Sequence, residues 1–287
     1  MKIKKALILY KKSAYSIYFQ HPRSSFNSRG KISVSELARF RKMHETHIAC
    51  VAYVERVLKD AGIEFRKICR GGAFDPKQYD LVVTVGGDGT FLEAAHKLKG
   101  QLILGVNSDP SWSVGRFCSA TALTFKKILQ RIIDQKQPIS EFPRLELSLM
   151  GKRINFLNDA LFCHRNPAAM SRYSLKVGKQ QEEQKSSGVW VSPAAGSSGA
   201  IKSAGGRQFA PTQEIIQYKP RELYLKKNKP YVLKGGILAL TDHVKVVSMM
   251  REGRVFVDGS HLSFSFDFGV VAKISRSRFP LRVVSLK

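Results

Sequence analysis

Residues Leu81 to Leu98 read LVVTVGGDGTFLEAAHKL. LVVTV is a continuous apolar run of the kind that a parallel sheet covered on both faces requires. The residues after it return at helical intervals, so the stretch predicts strand, glycine-rich turn, helix. Thr90 and Glu93 have the spacing of a capping box, which predicts a helix beginning at Thr90. A turn at the carboxyl end of a parallel strand, facing a helix N-terminus, is a place where anions bind. Yet Asp88, a carboxylate, stands in its centre.

GGDGTFLE lacks the Lys-Ser/Thr of a P-loop and the third glycine of a dinucleotide fingerprint. Each glycine costs about 0.5 to 1 kcal/mol relative to alanine on folding, and an ordinary turn rarely needs three. A ligand lying close to the backbone explains them better than a plain Asp-Gly turn does. The acid fits phosphoryl transfer, where protein catalysis is mostly positioning and a carboxylate takes the proton of the attacking hydroxyl. Asp88 is then the catalytic candidate, with Gly86, Gly87, Gly89 and Thr90 as phosphate-binding candidates. Mg²⁺ carried by the nucleotide would offset the repulsion between acid and phosphate.

Outward from this turn, ALILY reads as a first strand and is shorter than the core of a secretion signal. A polar Ser/Arg-rich loop to about Lys31 follows, then a helix over 35–61 stopped by Gly62. IEFRKI and LILGVN read as further strands, so this half is parallel α/β. From about Ser140 the texture changes to short alternating segments, among them RLELSLM, RYSLKVG, GVWVSP and VKVVSM, the pattern of an antiparallel β domain. The expected fold is α/β plus all-β: an α/β nucleotide-binding domain over 1–137 and a β-rich domain over 138–287, the extreme C-terminus returning to the first. Leu262, Phe264, Phe266 and Phe268 are expected on one buried strand face.

The 287 residues carry 48 Lys+Arg against 22 Asp+Glu, a net charge of +26 that draws polyanions. The basic residues occur in ones and twos, which argues against a nucleic-acid tail and a specific nucleic-acid partner. Cys50, Cys69, Cys118 and Cys163 lie far apart with no C-x-x-C pair, which fits a reducing, cytoplasmic setting and neither a zinc knuckle nor a disulfide framework. No run approaches the roughly 18 apolar residues of a membrane span, so a soluble protein is expected. His44 and His47 are three apart where a zincin helix needs four, and no metal site is expected.

GGDGT after a buried strand, NDALF within the β half and SSGVWVSPAAGSSGAIKSAGG after it, in that order, resemble the NAD kinases. HETHIACVAYVERVLKDAGIEFRKICR, GVNSDPSWSVGRFCS, QKSSG and VFVDG are similar to the mitochondrial-type branch and its bacterial relatives. The resemblance implies two domains with a cleft between them. It also implies transfer of a phosphoryl group from ATP, or polyphosphate, to the 2′-hydroxyl of the adenosine ribose of NAD. By the same resemblance Asp88 is the catalytic aspartate, Asn158 and Asp159 are the Asn-acid pair that binds NAD, and Ser187, Gly196, Ser197 and Ser198 line the dinucleotide. A homo-oligomer is also implied. Here the loop reads S-P-A-A-G-S-S-G-A, Ala200 replaces the usual aromatic, and Ser187 stands where many members have Asp. GGDGT is shared with lipid kinases, so a lipid acceptor is the nearest alternative, and a non-catalytic polyanion-binding protein the next.

Overall fold

A computed structural model describes residues 3–20, 32–224 and 230–285. The chain forms two compact units, Met1–Ser140 with Arg282–Lys287, and Glu141–Leu281.

The first unit is built on strands β1 (Lys5–Tyr10), β2 (Glu64–Cys69), β3 (Leu81–Gly86), β4 (Leu102–Asn107), β5 (Ala120–Thr121) and β6 (Ile139–Phe142), with the last strand of the chain, β19 (Leu281–Val284). The sheet runs β2-β1-β3-β4-β19-β6, with β5 also on β4. β1 pairs in parallel with β2 and β3, and β4 in parallel with β3, β5 and β19. β3 and β4 are buried along their whole length, as their unbroken apolar runs require of central strands. The returning C-terminal strand is thus part of the first sheet.

Helices α1 (Ala14–Tyr18), α2 (Val34–Asp60), α3 (Asp88–Lys97) and α4 (Ala122–Ile133) belong to this unit. Ser33 caps α2 in a full capping box with Glu36, and Gly62, at φ +69°, follows the helix end where only a residue free of Cβ turns easily. Val51, Val54 and Leu58 of α2 and Phe125, Ile128 and Leu129 of α4 pack with Ile8, Val83 and Leu104 in one core. Each such side chain contributes about 1.5 to 3 kcal/mol on burial, which fixes the central strands and hence the turn that follows β3. α1 occupies part of the segment expected to be loop, because Ser13 caps it through the Ser16 N–H. The rest of that expected loop, 21–31, lies outside the described residues.

The second unit holds two antiparallel six-stranded sheets. Its strands are β7 (Leu145–Leu149), β8 (Lys152–Phe156), β9 (Ala160–His164), β10 (Ser171–Val177), β11 (Gln180–Ser186), β12 (Val189–Pro193), β13 (Ile215–Pro220), β14 (Gly236–Ala239), β15 (Val244–Ser248), β16 (Gly253–Val257), β17 (Leu262–Ser265) and β18 (Val271–Arg276). The orders are β11-β10-β15-β18-β7-β8 and β14-β13-β12-β9-β16-β17. Strict alternation of burial along β10 and β16 aims every second side chain at a core shared by both sheets. A short helix, α5 (Ala200–Ser203), follows the glycine-serine loop after β12.

The expected Phe-rich face is corrected at its end. Phe266 is fully buried and Leu262 and Phe264 partly so, but Phe268 is 73% exposed. β17 stops at Ser265 and the chain turns through Gly269, at φ +81°, so the alternation no longer applies at 268. β11 went unread because QQEEQKS is polar; its inward residues are Gln184 and Ser186, held by hydrogen bonds.

Candidate active site

Both clusters of candidate residues are built by close backbone approach. In the first unit β3 runs directly into α3, with Gly87 as N-cap and Asp88 as first helical residue. The capping-box expectation at Thr90 is therefore corrected: the helix begins two residues earlier, which puts Glu93 a turn too far along to reach back. Thr90 is 1% exposed, and its hydroxyl is buried without a hydrogen-bond partner among the described residues. Glu93 instead accepts from Arg70 Nε at 2.8 Å and from the Gly71 N–H at 2.6 Å, joining the end of β2 to α3. Burial opposes its charge, but the Gly71 amide and the Arg70 guanidinium outweigh that and hold the carboxyl below its usual range.

The turn glycines serve room rather than handedness, for none of Gly86, Gly87 and Gly89 has a positive φ. A Cβ at Gly86 would stand 2.5 Å from Thr90 Oγ1, and one at Gly87 2.5 Å from Ser113 Oγ. At Gly89, which is exposed, it would meet only Arg70 Nη1, at an ordinary 3.5 Å. Part of the glycine requirement thus comes from the protein's own loop over 108–117.

That loop also holds Asp88. The Phe117 N–H donates to Asp88 Oδ1 at 2.8 Å, and among the described residues no donor meets the other carboxylate oxygen. Asp88 is partly buried, in the first turn of a helix, where the dipole stabilises negative charge. Phe117 stacks on Phe91 of α3 at 5.3 Å between ring centroids. Asn107 Nδ2 donates to the Ser113 carbonyl at 2.7 Å, and the Ser108 N–H to the Gly86 carbonyl at 3.1 Å. Below the loop His47 is 2% exposed, with Nε2 2.8 Å from the Lys11 carbonyl and Nδ1 2.9 Å from Ser108 Oγ. A carbonyl only accepts, so Nε2 carries the proton and Nδ1 accepts from the Ser108 hydroxyl. Burial lowers the His47 pKa and keeps the ring neutral. His47 is a structural strut, and among the described residues no metal-binding cluster forms.

In the second unit Asn158 and Asp159 lie in the turn between β8 and β9. The carboxylate of Asp258, just past β16, accepts the N–H groups of Leu157, Asn158 and Asp159 at 3.0, 2.6 and 3.1 Å. Asp258 holds this position at φ +49°, and its own N–H donates to the Asp159 carbonyl at 2.8 Å. Asp159 is 3% exposed, and burial, with the neighbouring Asp258 charge second, pushes its carboxyl up to about 7. Asn158 Nδ2 donates to Asp159 Oδ2 at 3.1 Å.

The loop after β12 lies on the same turn. Ser192 Oγ donates to the Asn158 carbonyl at 2.8 Å, and a Cβ at Gly196 would fall 1.5 Å from that carbonyl oxygen. Only glycine fits there. Ser197 is fully buried; its hydroxyl donates to the Ala194 carbonyl at 2.6 Å and accepts from the Phe209 N–H at 2.8 Å, so its work is internal to the loop. Ser198 and Ser187 remain partly exposed, the latter with its N–H on the Arg221 carbonyl at 3.0 Å. Asn158, Asp159 and Gly196 are thus brought together, and so, in the other unit, are Asp88 and the glycines.

Residues 15–136 match the ATP-NAD kinase N-terminal domain family. A probable NADH kinase of Oryza sativa subsp. japonica is 33% identical over 83% of this chain and 81% of its own length. The chain belongs to the NAD kinase family. An NAD kinase of Aquifex aeolicus is 30% identical over 81% of the chain and 86% of its own length. Among solved structures, the NAD kinase of Archaeoglobus fulgidus in complex with ATP superposes with TM-score 0.72 over 98% of this chain and 93% of that one, at 24% identity. Yeast NADH kinase complexed with NADH gives 0.73 over 99% and 84%, at 16% identity. These likenesses show the fold: an α/β half and an antiparallel β half.

Against the NAD kinase family pattern, sequence reasoning missed two residues. Asp258 falls in VFVDG, quoted only for its resemblance; its Asp-Gly pair, a combination that favours left-handed turn positions, was the available signal. The Phe117 amide left none, since a backbone donor has no residue signature. Among the described residues no helix is long and apolar enough to cross a membrane.

Proposed function

We propose that this family member transfers the γ-phosphoryl group of ATP to the 2′-hydroxyl of the adenosine ribose of NAD, making NADP. The placement of Asp88 carries the reading: one carboxylate oxygen is held by the Phe117 amide and the other meets no donor among the described residues. A carboxylate so oriented accepts the proton of an attacking hydroxyl without first having to be ordered. The leading amides of α3 have no partner within the helix and suit the oxygens of the phosphoryl group in transit. Asn158 and Asp159 bind the dinucleotide, with Gly196, Ser198 and Ser187 lining it. Ser197 supports the loop from below.

Mg²⁺ belongs to the donor in this reading, held by the triphosphate and neutralising part of its charge. Relatives named NAD kinase and NADH kinase make both forms of the dinucleotide acceptors to test. The same names favour a nucleotide acceptor over a lipid one. A cytoplasmic homo-oligomer completes the proposal, supported by family analogy and by four cysteines that are all free. Purified protein given ATP, Mg²⁺ and either NAD or NADH should form the 2′-phosphorylated product. Polyphosphate in place of ATP tests the alternative donor. Turnover of neither dinucleotide with either donor would overturn the reading.

A further inference from the structure

Arg144, just ahead of β7, is 1% exposed and the largest of the fully buried side chains among the described residues. A buried guanidinium stays charged and needs partners. Its Nε donates to the Phe279 carbonyl at 2.7 Å, and its own carbonyl accepts from the Ser277 N–H at 2.9 Å, so side chain and backbone are both fixed to the segment over 277–279. Ser277 Oγ donates in turn to Asn155 Oδ1 of β8 at 2.8 Å. On the other side, the pairing of β7 with β8 sets Leu145 opposite Phe156, and the next step of that register puts Arg144 opposite Leu157. The Leu157 N–H donates to Asp258 Oδ2 at 3.0 Å and is the first of the three turn amides gathered by that carboxylate. Arg144 thus stands at the root of the turn between β8 and β9. Burial pushes its pKa down to about 10 with the Asp258 charge opposing, so the guanidinium is charged at neutral pH and feels that acid.

We propose that Arg144 is a positioning residue for the dinucleotide: its guanidinium is the counter-charge of Asp258, and so holds the carboxylate that gathers the turn presenting Asn158 and Asp159. The inference rests on the reading that Asn158 and Asp159 bind the dinucleotide, and adds to it the group that supports them from behind. Asp258 is the charged group that bears on both Arg144 and Asp159. Two carboxylates close together in a buried site repel each other, and a nearby cation offsets the pair. Arg144 touches no substrate in this account and acts through Asp258. Lysine would keep the charge without the planar fork of donors, whereas glutamine would keep hydrogen bonding without the charge. The two substitutions therefore separate charge from shape.

NADP formation by the wild-type full chain is measured first. The Asp159 carboxyl, pushed up to about 7, should give kcat/KM for NAD a rising limb near that pH, and the active form has both carboxylates ionised. R144Q removes the positive charge, so the limb should move up by about one pH unit or more, with KM for NAD raised about tenfold or more at pH 7 and KM for ATP unmoved. R144K should return the limb to its wild-type position. A limb that stays in place in R144Q would leave Arg144 a packing role only and overturn the proposal. A limb displaced as far in R144K would overturn it too. Unfolding in urea gives a second reading that needs no turnover. R144Q leaves Asp258 without its cation, whereas R144Q/D258N leaves neither charge alone, so the double variant should be at least as stable as R144Q and should accumulate even where R144Q does not. A double variant less stable than R144Q would overturn the pairing. Failure of the kinase reading shows as absent wild-type turnover, and the urea comparison still decides the role of Arg144.

Discussion

The Asp258 carboxylate gathers the amides of the turn that presents Asp159, and the two acids also bear on each other electrostatically. One carboxylate thereby shapes the turn and raises the proton affinity of its neighbour. Hydrogen bonds to a charged acceptor contribute about 1.5 to 3 kcal/mol each, less where they share an oxygen. Asp258→Ala should cost about 2 to 4 kcal/mol in urea unfolding and weaken NAD binding at least tenfold. Equal stability of variant and wild type would show that the turn holds itself.

The raised Asp159 carboxyl gives a pH dependence with a definite sign. Between the ordinary 3.8 and about 7 the folded state keeps a proton that the unfolded chain has released. Stability from this group therefore falls as pH rises through that window. Asp159→Asn should gain stability relative to wild type between pH 5 and 8, read by denaturant midpoint. The ionised form is the better acceptor for a ribose hydroxyl, so kcat/KM for NAD should climb as pH passes about 7. Asp258→Asn should move that limb to lower pH, since it removes the neighbouring charge. An unmoved limb would refute the coupling.

Two glycine substitutions separate close approach from conformational freedom. Gly196→Ala places a methyl on the Asn158 carbonyl, so it should displace the loop and cost several kcal/mol or soluble expression. Gly89→Ala meets only ordinary contact at a negative φ and should fold with a Tm within about 3 °C of wild type. Thermal melts of the two variants decide it.

The Glu93 bond to Arg70 and Gly71 joins α3 to the end of β2. Both side chains are about a quarter exposed, so the pair is partly screened: 26% for Arg70 and 24% for Glu93. Glu93→Gln should cost about 1 kcal/mol at pH 7. A carboxyl held below its usual range stabilises at neutral pH and loses that contribution as pH falls through its folded value. The difference between wild type and variant should shrink towards pH 3 in denaturant titrations.

Much of this molecule was legible from its residues because its signals are local. LVVTV and LILGVN declare central parallel strands, Gly62 stops α2, and alternation marks β10 and β16. What stayed hidden depends on partners distant in sequence. Glu93 had a capping spacing with Thr90 but is taken by Arg70 and Gly71, 23 and 22 residues away. Gly86 and Gly87 advertised a ligand, yet their first constraint is the protein's own Thr90 and Ser113. Asp258 lies about 100 residues from the amides it gathers. Ser197, by the family resemblance a ligand donor, spends its hydroxyl inside the loop.

The central claim is that Asp88 takes the proton of the hydroxyl being phosphorylated. Asp88→Asn tests it most directly, because an amide oxygen still accepts from the Phe117 N–H and the turn keeps its shape while the base is removed. With saturating ATP, Mg²⁺ and NAD, the variant should form NADP about 10² to 10⁴ times more slowly than wild type, with an unchanged melting temperature. A variant that folds normally and makes NADP at the wild-type rate would contradict the account.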